Sequence, residues 1–357
     1  MKTATKIVAV LLVLIMAFGM LTACESEKAA PASGGAAGTG DSGNAPAPIT
    51  GGKDLYKDQI KISVISISTL GVSNRLYQMA LKDQASRYPN ISVDFKDAEY
   101  DPNRQITLIE EAITQGYDAI LIECMDPVAA NEAILSAEKA GIVVVSNGAA
   151  QPTCIHTLHN RMEDYNNGWK SGEVLAGMVG GEGTAIILDV PAIQKASARM
   201  GNGFQDYIEK NTNIKLLEPP IGIDNWSADN AQISMRDMLT KYGPGEITMV
   251  YCCSDDIAVG AMNAIDQAGR TGDMLVWGMF GYPAGLEGVK SGKLAGTMFS
   301  DVYVQYSMLF YILLDHIATG VNSYTAGYTE TTYVEMPMHP VTADNIDNIM
   351  AVSRWFS

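Results

Sequence analysis

GEITMVYCCSDDIAVGAMNAIDQAG, residues 245–269, decides how the rest of the chain is read. An apolar, β-rich run from Ile247 to Cys253 stops at three polar residues, Ser254, Asp255 and Asp256. A helical pattern of Ile257, Ala261, Met262 and Ile265 follows, and Gly269 is placed to close it as a C-terminal cap. This is one strand, one loop and one helix. In an open parallel sheet, ligands bind beyond the carboxyl ends of strands, where such loops and helix N-termini gather. The three polar residues can therefore cap the helix or meet a ligand. Ser254 and Asp255, nearer the strand end, are the ligand candidates, and Asp256 reads as the cap.

The same rhythm runs along the whole chain. Ile60 to Ser68, Ile91 to Phe95, Ala119 to Cys124 and Ile142 to Ser146 read as strands, with helices near 74–88, 101–115 and after Asp126-Pro127, where proline occupies the first helical position. After about Asn160 a second set begins, with strands at Thr184 to Leu188, Ile214 to Leu217, Ile247 to Cys253, Leu275 to Met279 and Leu294 to Phe299, and a long helix from Val302 to Thr319. Strands alternating with helices of this length predict parallel, doubly wound sheets. GYDAILIECMDPVAANEAILSAEKAGIVVVS, from Gly116, repeats the strand, Asp, helix, Ala-Gly, strand order of the stretch from Gly245. Two similar α/β lobes facing one cleft are expected, rather than a single large sheet.

The chain has 357 residues, 47% of them hydrophobic, which gives length for about two domains. With 24 Lys plus Arg against 40 Asp plus Glu, the net charge of -16 excludes nucleic acid and an anionic membrane surface as main partners. The N-terminus points outside the cytoplasm. Lys2 and Lys6 precede an apolar run from Ile7 to Met20, followed by Leu21, Thr22, Ala23 and Cys24. This is an export signal, too short for a transmembrane helix. Its LTAC ending resembles a bacterial lipoprotein signal, in which Cys24 becomes the lipidated first residue, and two acyl chains suffice for stable anchoring. The resulting division is a signal peptide at 1–24, a flexible Ala/Gly/Ser/Pro-rich tether at 25–59, a first lobe of 60–160 plus 301–320, and a second lobe of 161–300 plus 321–357.

The order of the elements and the lipoprotein signal resemble the type I periplasmic binding proteins of ABC importers, in particular the ribose/galactose-type sugar-binding group. The likeness runs from about Lys61 to Thr319 and is carried by QGYDAILIECMDPVA, KAGIVVVSNG, ARMGNGF, SDDIAVGAMNAIDQAG and GKLAGT in that order. It implies lobes joined by three hinge strands, crossing near Leu158 to Arg161, Ser300 to Asp301 and Gly320 to Tyr324, that close on a ligand. It also implies contacts at Asn74, Arg75, Asp126, Ser146, Asn147, Arg199, Trp226, Ser254, Asp255, Phe280, Ser300 and Asp301. Trp226 would lie on a sugar ring with its apolar face. Repressors built on the same lobes need an N-terminal helix-turn-helix, and an export signal stands in its place.

Departures from the group's pattern bear on the ligand. Ser146-Asn147 replaces Asp followed by Arg or a polar residue, Ser254 replaces Asn, Phe280 replaces Asp, and Met200 stands where a binding Arg belongs, with Arg199 one position out of register. A pocket with fewer charged hydrogen-bonding groups suits a less hydroxyl-rich or differently shaped ligand. A nucleobase, a furanose-derived signal, a polyol and a modified sugar all fit.

The reading is a monomeric receptor that binds a small sugar-like solute without a cofactor and delivers it to an importer permease. An alternative is the same capture presented to a sensor kinase or chemoreceptor. Enzymatic readings find little: His156 and His159 form an H-x-x-H without a nearby acidic ligand at helical spacing, and neither a GxSxG nor a phosphate loop in a strand-helix setting occurs. Cys124, Cys154, Cys252 and Cys253 lack zinc spacing and read as buried free thiols, with a Cys124 to Cys154 bridge the alternative.

Overall fold

The first set of strands and helices is Ile60–Ser66 (β1), Val72–Ala85 (α1), Ile91–Asp97 (β2), Pro102–Thr114 (α2), Ala119–Cys124 (β3), Pro127–Lys139 (α3), Val143–Gly148 (β4) and Leu158–Met162 (β5). The computed structural model describes residues 52–70, 72–148, 154, 157–162, 164–191, 195–320, 333–336 and 338–356. All of them fall in one unit, Pro46–Ser357. The second set is Asp164–Met178 (α4), Glu182–Asp189 (β6), Lys195–Asn211 (α5), Asn213–Leu216 (β7), Ile221–Gly222 (β8), a 3-10 turn at Asp224–Trp226, Ala228–Lys241 (α6), Met249–Cys252 (β9), Asp255–Gln267 (α7), Leu275–Phe280 (β10), Pro283–Lys290 (α8) and Gly296–Phe299 (β11). Val302–Thr319 (α9), Tyr333–Met336 (β12), His339–Thr342 (β13) and Ile346–Val352 (α10) complete the described chain.

Two sheets result. The first has the order β12-β5-β4-β3-β1-β2, and every neighbour pair in it is parallel. The second has the order β13-β11-β10-β9-β6-β7 with β8 beside β6, and only its β11–β13 edge is antiparallel. Alternation along β3 shows why the first sheet is covered on both faces. Leu121 packs with Leu76 and Tyr77 of α1 and Phe310 of α9. Ile120 and Ile122 face the other way, toward Ile109 of α2 and Ile134 of α3. The second lobe has its own core around Leu188, Val250, Trp277 and Met298.

Local signals explain where the helices begin. Asp101 and Asp126 cap α2 and α3, each followed by proline, and Ser254 Oγ accepts the Ile257 N–H over 3.2 Å at the start of α7. Left-handed glycines follow several helices, as at Gly141 and Gly269.

The chain ends differ from the sequence reading. The sequence reading places residues 321–357 wholly in the second lobe, with the last crossing near Gly320 to Tyr324. In the structure Tyr333–Met336 extends the first sheet beside β5, while His339–Thr342 pairs with β11. The last crossing therefore falls between Met336 and His339, and 321–324 lie outside the described residues. Strands of four residues are too short for a period to show in the sequence.

Cys124, Cys154, Cys252 and Cys253 are buried and form no disulfide with one another. Burial pushes the Cys124 thiol up to about 12, which leaves it protonated and inert. Residues 1–24 with Cys24, the tether as far as Gly51, and His156 of the H-x-x-H lie outside the described residues. Among those described, no helix is long and apolar enough to cross a membrane.

Candidate functional site

The carboxyl ends of both sheets carry the polar and aromatic groups, as an open parallel sheet dictates. In the second lobe, β9 runs into α7 and delivers Asp255 and Asp256 side by side with opposite fates. Asp255 is fully buried. Its Oδ1 accepts the Thr297 hydroxyl over 2.7 Å and its Oδ2 accepts the Tyr282 backbone N–H over 2.6 Å. Gly278 and Gly285 press on the carboxylate so closely that a Cβ at either position would collide with it. Burial raises its carboxyl to about 8 against the hydrogen bonds from Thr297 and Tyr282. Asp255, expected as a ligand contact, is thus an internal brace that ties α7 to the loop after β10.

Asp256 turns out to be the open one. It is half-buried, burial pushes its carboxyl up, and among the described residues it has no hydrogen-bond or ion-pair partner. The capping expected of Asp256 is carried out by Ser254.

Three aromatic residues line up beside this loop. The Trp226 and Phe280 ring centroids are 6.0 Å apart, and Phe280 stacks on Tyr282 at 5.5 Å with 21° between the planes. Asn225, Trp226 and Phe280 are non-glycine residues with left-handed backbones, φ 56°, 55° and 88°. Such conformations cost of order 1–3 kcal/mol each and gather at ligand clamps. Trp226 remains half-buried and Phe280 is 8% exposed.

The first lobe contributes from the ends of β1, β2 and β3. Glu123 Oε1 accepts the Tyr306 hydroxyl over 2.7 Å, and Oε2 has only a long 3.4 Å contact with the Ile67 N–H. Burial raises the Glu123 carboxyl. Tyr100, 39% exposed, follows Glu99 in a second left-handed pair, φ 53° and 58°.

One side chain of the aromatic row meets both lobes: Tyr282 of the second packs against the cores of both. Burial raises the phenols of Tyr282 and Tyr100.

Residues 72–320 match the family described as a periplasmic binding protein domain. The chain belongs to that family. This periplasmic binding protein is 29% identical over 265 residues to the xylitol-binding protein of Mycolicibacterium smegmatis, covering 74% of this chain and 72% of the relative. It is 26% identical over 247 residues to the ribose import binding protein RbsB of Escherichia coli, covering 68% and 79%. A solute-binding protein of an ABC transporter from Bacillus halodurans, solved with bound myo-inositol, superposes with a TM-score of 0.72 at 24% identity, over 82% of this chain and 98% of that one. At that identity the superposition shows the fold.

Several contacts implied by the resemblance have structural duties in this periplasmic binding protein. Asn74 is buried and spends both amide donors inside its own lobe, on Ser68 O over 3.0 Å and on the Tyr77 hydroxyl. Asn147 donates to the Tyr306 hydroxyl over 2.8 Å and accepts from Gln305 over 3.2 Å, fastening β4 to α9. Asp126 accepts from the Val128 and Ala129 N–H groups, and Asp301 accepts from the Val304 N–H over 3.1 Å, as helix caps. Ser300 is buried and donates its N–H to Phe280 O over 3.2 Å. Ser146 is fully buried opposite Ile122. Arg75 is exposed on an open groove along α1 with Leu70, Gln78, Met79 and Lys82. Arg199 is half-buried on α5, beside Met200 and near the point where Gly201 abuts Asp189 at the end of β6. Burial raises the Asp189 carboxyl to about 6.

Sequence reading misses Glu123, Tyr100 and Tyr282. The one usable signal is positional: each stands at or just after the carboxyl end of a strand, and Glu123 interrupts the apolar run of β3.

Proposed function

We propose that this protein is an extracytoplasmic solute receptor, tethered through Cys24, which captures a small polyhydroxyl solute, a sugar or polyol, between its lobes and hands it to an ABC importer. One observation carries the reading: Tyr282 packs against the cores of both lobes and continues the aromatic row of Trp226 and Phe280. Glu123 and Asp256, at strand ends of the two lobes, add carboxylates, which accept hydrogen bonds and suit hydroxyl groups. Trp226 and Phe280 offer an apolar surface for the C–H face of a ring or an extended polyol. Xylitol and ribose, named for the two relatives above, are polyhydroxyl compounds of this class. The tether and export rest on Lys2, Lys6 and the LTAC motif. Presentation of the loaded receptor to a sensor kinase would use the same binding step.

A thermal-unfolding screen of the purified protein against xylitol, D-ribose, myo-inositol and nucleosides tests it. A solute at 100 times its Kd adds about 2.7 kcal/mol of stability. A shift with a sugar or polyol supports the reading; a shift with nucleosides alone, or with nothing in a broad panel, contradicts it.

A further inference from the structure

We propose that the C-terminal tail, Ser353 to Phe356, is a strap that holds the two lobes together before any solute arrives, with Trp355 seated on the seam between them and Arg354 on the first lobe. The inference concerns the solute-free protein and goes beyond the binding reading above.

The root of the tail belongs to the second lobe. Ile346 of α10 is buried in the second core, Ile349 and Met350 pack against that core, and Lys290 of α8 pairs with Asp347 of α10. After α10 the chain turns. Ser353 is buried, its Oγ accepts the Trp355 N–H and its carbonyl accepts the Phe356 N–H, each over 3.3 Å. The next two side chains reach the other lobe. The Arg354 guanidinium lies 5.0 Å from the centre of the Tyr303 ring, and Tyr303 packs against the first core at the start of α9. Trp355 packs against the cores of both lobes, a property it shares, among the described residues, with Tyr282 alone. Those two rings meet edge to face, with centroids 6.0 Å apart and planes at 78°.

A ring packed on two bodies keeps all its contacts only while the bodies stay together. Separating the lobes would wet one side of Trp355 and draw Arg354 off Tyr303, so both contacts favour the joined arrangement. Ring packing is what holds Trp355 there, because its indole N–H is enclosed and has no hydrogen-bond acceptor among the described residues. An enclosed donor of this kind costs stability. Phenylalanine would keep the packing without that cost. Tyr282 links the strap to the binding surface, since it stacks on Phe280, which in turn lies beside Trp226. Lobes joined in advance leave less ordering for a solute to drive, which raises its apparent affinity.

Small-angle X-ray scattering of the purified, solute-free protein reads the lobe arrangement. Wild type is compared with Trp355→Ala, Trp355→Phe, Arg354→Ala and a chain ending at Ser353, with urea unfolding of each alongside. The radius of gyration is expected to rise in Trp355→Ala and in the shortened chain, to rise less in Arg354→Ala, and to match the wild type in Trp355→Phe. Xylitol, D-ribose or myo-inositol, whichever binds the wild type, is expected to bind Arg354→Ala more weakly by up to about fivefold. Identical solute-free scattering from the wild type, Trp355→Ala and Arg354→Ala overturns the inference. Equal expansion in Trp355→Phe and Trp355→Ala, or a loss of stability without expansion, overturns it too, since Trp355 would then serve only the packing of the second lobe. If the shortened chain does not fold, Arg354→Ala decides, because it alters an exposed side chain. Failure of every solute to bind the wild type overturns the solute-binding reading and leaves the scattering comparison to decide the strap.

Discussion

The backbone N–H of Tyr282 donates to Asp255 Oδ2 over 2.6 Å, so a carboxyl group inside the second lobe fixes the residue that packs against the cores of both. Position and protonation are linked at this point. The Asp255 carboxyl rises from the ordinary 3.8 to about 8. Below about pH 4 the folded and unfolded chains both hold the proton. Between there and about pH 8 the folded chain holds a proton that the unfolded chain has released, so this group makes stability fall as pH rises. Asp189 acts with the same sign, but its carboxyl is raised only to about 6. Asp255→Asn should therefore flatten the decline between about pH 6 and 8. Urea unfolding across that interval measures it, and an unchanged slope would mean that Asp255 is ionised in the folded protein.

Tyr282 packs against the cores of both lobes and stacks on Phe280 at 5.5 Å. Tyr282→Ala removes that shared packing and should cost about 2 kcal/mol or more of stability, less than the ~3–5 kcal/mol of a fully buried aromatic. Urea unfolding of the ligand-free variant measures it, and an unchanged midpoint would show that Tyr282 supports neither core.

Trp226 is held by a left-handed turn with its ring 6.0 Å from Phe280. Trp226→Ala should cost about 2 kcal/mol or more of binding free energy, roughly a thirtyfold loss of affinity. Its circular dichroism spectrum should match the wild type, since the residue is only half-buried at the edge of the second core. Wild-type affinity in this variant would show that the aromatic row is packing and not binding surface.

The fold was legible because strand ends, caps and helix stops follow local rules. Asp101-Pro102 and Asp126-Pro127 announced the starts of two helices, and their structural counterparts begin there, while the cap expected of Asp256 falls on Ser254. The repeat between the Gly116 and Gly245 stretches appears as β3-α3-β4 in one sheet and β9-α7-β10 in the other. The site was legible only as a set of strand ends. Which of two adjacent aspartates turns inward depends on Gly278, Gly285 and Thr297, which come from later elements, and no local pattern encodes that. For the same reason Asn74 and Asn147 looked like ligand contacts, although Tyr77 and Tyr306 claim them. Glu123 was overlooked because a single acid in an apolar strand has no period.

The N-terminal reading has its own test. If Cys24 is the lipidated residue, the full-length protein expressed in a bacterium fractionates with membranes, and Cys24→Ala releases it or leaves it with an uncleaved signal. Equal membrane association of the cleaved Cys24→Ala protein would exclude a lipid anchor at this position.

The central claim is that a polyhydroxyl solute occupies the space between the lobes beside the aromatic row of Trp226, Phe280 and Tyr282. A crystal structure of the protein saturated with the solute that stabilises it most tests this directly. The solute is expected to lie between the lobes against the Trp226 ring. Solute bound on an outer face of either lobe, or between the lobes but out of reach of Trp226, would contradict it.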